Sequence, residues 1–300
     1  MGTRPAVIIA CDVDPRLKDM ANRAEWNVWD VLDFIPSLEN ALGSELPPIS
    51  WMIRSDDSMR ELTGSYTSCL TARPGLWDRL RARGHELGWH FHHWSYGDHR
   101  GFDPHPAWLP DAYEALAAHF PVRATRTGWD YCNTNTFRAL DTLNVDIDLS
   151  ALPGYLVWVE VESESFMVDW RRSPYTPYHP SHDNYQRAGP HPLRLIEVPI
   201  SSFRASTVNA VRRAGWRIIN GVWSIAGITA KVRYLTDEWN GVPRLRGDVI
   251  AVYFHPENLA DAGIKGFVRN IGLLRRHFDP EFLTASGFVD RIRSAPTLSP

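Results

Sequence analysis

Two short spacings in this chain gather side chains able to do chemistry. Asp12 and Asp14 lie two residues apart, directly after the apolar run Ala6-Val7-Ile8-Ile9-Ala10-Cys11. On an extended segment, residues i and i+2 point to the same side, so both carboxylates would face one cavity. There one can bind a cation while the other, left free, takes a proton from water. His90 and His92 repeat the spacing. Each neutral imidazole offers one nitrogen and an Asp offers a third ligand. Such a set suits zinc or a similar divalent ion and leaves positions open for water. His255 follows Ala251-Val252-Tyr253-Phe254 and precedes Pro256. An imidazole there could protonate a departing amine near neutral pH. Plainer readings stand beside these. Asp-x-Asp is common at turns and helix caps, and four His (85, 90, 92, 93) within nine residues can be a surface cluster. A lone His at a strand end is often a packing residue.

The elements that must position these groups alternate along the chain. Short apolar, β-branched runs at 6–11, 49–53, 86–91, 122–125, 145–148, 193–200 and 249–254 read as strands. Helical periods fall at 28–43, 73–83, 110–120, 135–144, 206–214 and 263–277, with Gly84 placed to cap the second. Strand–helix alternation of this kind predicts a parallel sheet with helical crossovers. Periodicity alone does not separate an open sheet from a closed barrel. Most of these strands finish in ionisable residues: Asp12 and Asp14, Arg54 to Asp57, His90 to His93, Arg126, Asp148 and His255. In parallel α/β folds the active site forms at the strands' carboxyl ends, so a barrel would converge these groups on one mouth. Residues 154–193 hold no clear period and are dense in Pro, Tyr, Trp and His, which reads as a long inserted loop. No internal repeat or linker divides the 300 residues, so one domain is expected, with a loose tail from Ser294.

Composition narrows the function classes. With 32 Lys+Arg against 35 Asp+Glu and no basic run, the chain is not expected to bind nucleic acid. The first apolar run is far shorter than the roughly 20 residues that span a bilayer, and it lacks the features of a signal peptide. No membrane span and a cytoplasmic location are the expectations. Three cysteines (Cys11, Cys69, Cys132) without CxxC spacing argue against both a disulfide framework and a structural zinc knuckle. The 13 Trp are numerous enough that some could line a sugar site, where flat aromatic faces pack against C–H faces.

Taken together and in order, these segments resemble the polysaccharide deacetylase superfamily, also called carbohydrate esterase family 4 or the NodB-homology fold. The resemblance runs from about residue 6 to residue 260. Cys11-Asp12-Val13-Asp14 resembles the first motif, and Gly84-His85-Glu86-Leu87-Gly88-Trp89-His90 the second. Arg126-Thr127-Gly128-Trp129 is similar to the Arg-containing third motif, Asp148-Leu149-Ser150 to an Asp-Ser-Ser variant, and Phe254-His255-Pro256 to the final His motif. The resemblance implies an α/β fold, a distorted (β/α)7 barrel of parallel strands, and metal-assisted removal of acetyl from an amino sugar. It implies Asp12 as general base, Asp14 and His90 as metal ligands, and His255 as the acid. Arg126 would orient Asp12 and depress its pKa by opposite charge, and a backbone N–H would help hold the oxyanion.

One departure from the family pattern matters. The second metal His usually lies four residues after the first, and that position here is Trp94. His92 is favoured as its replacement, because strand alternation places it with His90; His93, Asp56 and Asp57 are alternatives. The metal is expected to be zinc, with cobalt, nickel or manganese as options. Trp94, Trp129, Asp148, Asp57 and Asp169 are assigned to substrate binding, and the 154–193 insertion to a lid or rim. A small soluble glycoside or biosynthetic intermediate is the expected substrate. Two other readings remain: a metal-free hydrolase opening a cyclic amide, and a non-catalytic carbohydrate-binding protein.

Overall fold

The computed structural model describes residues 4–15, 28–95, 101–161, 164–202, 234–237, 242, 245–260 and 262–294. The helix expected near 206–214 and the tail from 295 lie outside the described residues. The first strand, β1 (Ala6–Val13), is buried along its whole length. An unbroken apolar run is what a strand covered on both faces needs. It pairs in parallel with β2 (Ser50–Arg54) on one side, which in turn pairs with β3 (Glu86–Phe91). A short antiparallel ribbon follows, β4 (Trp94–Ser95) with β5 (Gly101–Phe102). The sheet then continues through β6 (Ala124–Thr127) and β7 (Ile147–Asp148). Next come an antiparallel hairpin, β8 (Leu156–Val161) with β9 (Glu164–Asp169), and the edge strand β10 (Ile196–Glu197) beside β7. The last parallel pairings are β11 (Val249–Phe254) and β12 (Glu281–Leu283), both against β1.

Seven parallel strands thus run in the order β10-β7-β6-β3-β2-β1-β11, curled into an open half-barrel. Just past β10, Ser201 N–H donates to the Ala251 carbonyl at 2.8 Å, so the chain leaving one edge reaches β11 at the other. The strand positions and the parallel α/β class agree with the sequence reading. Gly88 lets the centre of the sheet close: a Cβ there would lie 2.9 Å from the Ala124 carbonyl oxygen.

Helices cover the outside: α1 (Ile35–Leu42), α2 (Asp57–Thr63), α3 (Ser68–Ala72), α4 (Pro74–Ala82), α5 (Leu109–Ala117), α6 (Thr134–Thr142), α7 (Gly263–Phe278) and α8 (Ala285–Ser294). In α7, Phe267, Ile271 and Leu274 recur at i, i+4 and i+7 and are buried, while Arg275 and Arg276 sit where the helix dipole favours cations. No helix among the described residues is long and apolar enough to cross a membrane.

The insertion corrects the sequence reading. Residues 154–193 are not simply a loop, because 156–161 and 164–169 pair as the β8–β9 hairpin. The signal was present in Val157, Val159 and Val161 alternating with Trp158 and Glu160. The dense Pro, Tyr and His content further along masked it. The small elements α2, α3, α8 and β12 also lie beyond the expected set, being too short or too near the C-terminus to show a period.

At the β7–β10 edge, Asp148 and Glu197 are register partners, and both are fully buried. Asp148 accepts from Ser150 N–H at 2.9 Å and Thr125 Oγ at 2.7 Å; Glu197 accepts from Ala151 N–H at 2.8 Å. Burial first, and the Asp148 charge second, push the Glu197 carboxyl well above its usual range. The folded state therefore keeps a proton that the unfolded chain releases, and stability falls as pH rises from about 4.5 toward the folded value. Glu197→Gln should be more stable than the parent at pH 8, because glutamine is neutral in both the folded and the unfolded chain. The gap should close toward pH 4. Urea unfolding across that range checks it, and a pH-independent gap would refute the retained proton on Glu197.

Candidate active site

At the carboxyl end of β1 the chain turns sharply. Asp14 N–H donates to the Asp12 carbonyl at 3.0 Å, which keeps the two side chains above the same sheet end. Two strands away, β3 delivers His90, and His92 follows one residue past the strand's last. The Nε2 atoms of the two rings lie 3.1 Å apart, and each is 3.3 Å from a different Asp14 oxygen. These three residues can offer ligand atoms all within 4.8 Å of one another.

The tautomer of His90 is fixed by its other nitrogen. Nδ1–H donates to the Arg126 carbonyl at 2.7 Å, and a carbonyl can only accept, so in the neutral ring Nε2 carries the lone pair. Two ring nitrogens aimed at each other and at a carboxylate are poor mutual partners but a good donor set for a divalent ion. Two imidazoles and one carboxylate match zinc and its neighbours. The residues therefore fit the expected metal.

Protonation supports the same picture. Burial raises the Asp14 carboxyl, but His90, His92 and Arg54 together outweigh it and hold it well below the usual carboxylate range. Burial lowers His90, yet the charges of Asp14 and Asp12 overcome that and raise it. Burial and then Arg54 bring His92 down to about 4, which keeps it neutral.

A polar layer sets these ligands in place. Arg54, fully buried, donates from Nη1 to Asp14 at 2.8 Å and from Nε to Asp56 at 2.9 Å. Asp56 caps α2 by accepting from Met59 N–H at 3.0 Å, and it accepts from the His92 backbone N–H at 2.9 Å. Both its oxygens are thereby spoken for, which removes Asp56 from the ligand alternatives. Gly128 leaves room for the His92 ring: an added Cβ would collide with its Cδ2, Nε2 and Cγ.

Asp12 lies beside the metal-ligand set. Its Oδ1 is buried and without a hydrogen-bond partner among the described residues. Its Oδ2 is 3.4 Å from Arg126 Nε and 3.8 Å from His255 Nε2. Arg126 is shared with Asp130, whose Oδ1 it meets at 3.0 Å from Nη1. Its guanidinium lies 3.8 Å from the Tyr253 ring centroid. Asp130 reaches it through two successive left-handed residues, Trp129 at φ 52 and Asp130 at φ 57, backbone that costs strain outside glycine. Burial first pushes the Asp130 carboxyl up, despite Arg126. His255 Nε2 is also 3.8 Å from Asp14, and its Nδ1 is 3.3 Å from Asn258 Oδ1, with Nδ1–H as donor. These groups line a cavity of about 310 Å³, small among ligand pockets.

Of the residues expected from sequence, Asp12, Asp14, His90, His92, Arg126, Trp129 and His255 meet in this cavity. Trp129 stands with its ring 4.5 Å from that of His92. The other four residues expected at the substrate, Trp94, Asp148, Asp57 and Asp169, do not line this cavity. Trp94, in β4 itself, is buried, with its carbonyl accepting from Ser58 Oγ at 2.5 Å. Asp148 is spent inside the sheet as described. Asp57 faces a separate cavity, pairing with Arg60 at 2.7 Å and accepting from Tyr66 at 3.1 Å. Asp169 is tied to Arg171 at 2.8 Å on the hairpin. Their positions after strands were legible, but direction was not. His93, the other ligand alternative, turns away, its Nδ1–H donating to the Asp103 carbonyl at 2.8 Å. Sequence reasoning missed Asp130, Arg54 as a support for Asp14, and Tyr253. The i, i+4 spacing of Arg126 and Asp130 was the available sign for the first.

Neither a family model nor a curated relative matches the sequence. Among solved structures, the chain is similar to a proposed polysaccharide deacetylase involved in O-antigen biosynthesis from Bordetella bronchiseptica. The identity is 13%, covering 91% of each chain, with a TM-score of 0.40. It is also similar to 4-α-glucanotransferase from Thermococcus litoralis, at 11% identity over 96% of this chain and 40% of that one, with a TM-score of 0.39. At such identities and scores neither speaks to the chemistry of this site.

Two outcomes follow from the geometry. Gly128→Ala should displace the His92 ring and weaken zinc binding at least about tenfold, the usual cost of disturbing a ligand's support. Calorimetric titration measures this, and an unchanged affinity would contradict the placement of His92. Below its raised pKa, metal-free His90 carries a proton that an incoming ion must displace; above it, none. Zinc affinity should therefore rise with pH and level off once His90 is neutral, with one proton released per ion on the acid side. Titration in buffers of differing ionisation enthalpy would read that proton count.

Proposed function

We propose that this protein is a divalent-metal-dependent N-deacetylase acting on an N-acetylated amino sugar. The observation that supports this most is the separation of labour between two neighbouring carboxylates. Asp14 faces both imidazoles, while Asp12 stands beside them, paired with Arg126 and 3.8 Å from His255. One carboxylate is thereby available as a ligand and the other as a base.

Asp14, His90 and His92 would hold the ion, zinc by donor type, with cobalt, nickel or manganese as substitutes. A bound divalent ion supplies Lewis acidity toward the acetyl carbonyl. Asp12 accepts a proton from the attacking water. Arg126, buried and wedged between Asp12 and Asp130, keeps the base oriented. His255 gives a proton to the departing amine from Nε2, while Asn258 accepts from Nδ1–H and fixes the ring's orientation. Trp129 offers an aromatic face at the rim, and the small cavity favours a glycoside or biosynthetic intermediate over an extended polymer.

Acetate release from N-acetylglucosamine glycosides tests the assignment. Asp12→Asn should keep zinc yet lose activity by at least about 100-fold, a typical general-base contribution. Chelation should abolish release, and added zinc should restore it. Full activity in chelated protein would exclude the proposal.

A further inference from the structure

We infer that the inner face of the β8–β9 hairpin is the specificity element of this pocket, and that it selects substrates carrying an apolar group beside the acylated amine. The inference rests on the deacetylase reading for the position of that amine. Strand alternation sorts β8 into two faces: Val157 and Val159 line the cavity, while Trp158 and Glu160 are exposed on the other side. Asp12, Asp14, His90 and His255 line the same cavity and carry its charge. The two valines add a surface with neither donor nor acceptor.

This wall is fixed by its partner strand. Val157 and Val159 sit opposite Val168 and Phe166, both buried. Phe166 stacks on Phe102 with centroids 4.3 Å apart and planes 10° from parallel. It also lies 5.6 Å from Trp129, whose ring abuts His92. The Phe102 N–H donates to Glu164 Oε2 at 2.9 Å, closing a second tie to the β4–β5 ribbon. A continuous aromatic contact thus links the hairpin to a metal-ligand residue, so the hairpin forms a standing wall beside the site.

A sugar face bearing hydroxyls would lose water against Val157 and Val159 without gaining partners. An alkyl or aryl group would gain there. Discrimination for apolar groups in such pockets runs from roughly tenfold to 200-fold per methylene-sized difference. The apolar group has two possible sources: an acyl chain longer than acetyl, or a hydrophobic aglycone.

Binding separates them without turnover. Zinc-loaded Asp12→Asn protein is titrated with the methyl β-glycosides of N-acetyl- and N-butyrylglucosamine, and with the phenyl and methyl β-glycosides of N-acetylglucosamine. We expect at least about tenfold tighter binding in one pair, butyryl over acetyl or phenyl over methyl. That pair identifies the source. Adding Val157→Thr and Val159→Thr, which keep shape and strand preference, should reduce that preference to within about twofold. Adding Trp158→Thr, on the outer face, should leave it intact. No preference in either pair, no binding of any probe, or a preference that survives the double valine change would overturn the inference. Acetate release by the parent protein is measured separately. A preference without release would remove the deacetylase reading and keep the wall's selectivity; release without preference would do the reverse.

Discussion

The structure around the site depends on compensating charge that is largely withdrawn from water. Four carboxyl groups, Asp12, Asp14, Asp56 and Asp130, crowd the carboxyl ends of β1 to β6, and two guanidiniums, Arg54 and Arg126, lie between them. Burying an unpaired charge is costly, so each group must find a partner or give up its charge. The two cations do not balance four anions. His90 is raised because the charges of Asp14 and Asp12 outweigh its burial, and Asp130 is raised first by burial and then by the charge of Asp12. Asp14, His90 and His92 lie close enough together that a divalent ion could take the place of the His90 proton.

That balance also explains the geometry of the supporting elements. Arg54 ties Asp14 to the cap of α2, and Asp56 ties that cap to the backbone of His92. One buried guanidinium and one buried carboxylate therefore coordinate three segments distant in sequence. On the other flank, the left-handed pair Trp129 and Asp130 brings a second carboxylate to Arg126. Gly128 just before them clears space for His92. Backbone strain and the missing side chain occur where the chain must reach Arg126 and leave room for the His92 ring.

Much of this was legible in the sequence because β-structure has a short period. Apolar runs placed seven strands, and the polar residues that ended them marked the end of the sheet where the candidate site lies. The i, i+2 spacing grouped Asp12 with Asp14 and His90 with His92. Beyond the ends of strands that rule loses force. Trp94 and Asp57 follow strands in sequence yet point into other packing, because a turn or a helix cap intervenes. Asp148 sits on a strand at the expected level but is absorbed by Glu197, Thr125 and Ser150, partners that only tertiary folding supplies. The hairpin was hidden by its neighbours' composition. Asp130 was hidden because its direction depends on positive φ angles that no side-chain pattern announces.

The central claim is that Asp14, His90 and His92 close around one divalent ion with Asp12 left free. Anomalous difference maps from crystals grown with zinc, recorded on both sides of the zinc absorption edge, test this directly. The account predicts one peak at about 2.0–2.2 Å from His90 Nε2, His92 Nε2 and an Asp14 oxygen, the distances zinc keeps to nitrogen and carboxylate. A peak ligated by Asp12 or His93, or no peak at these residues, would contradict it.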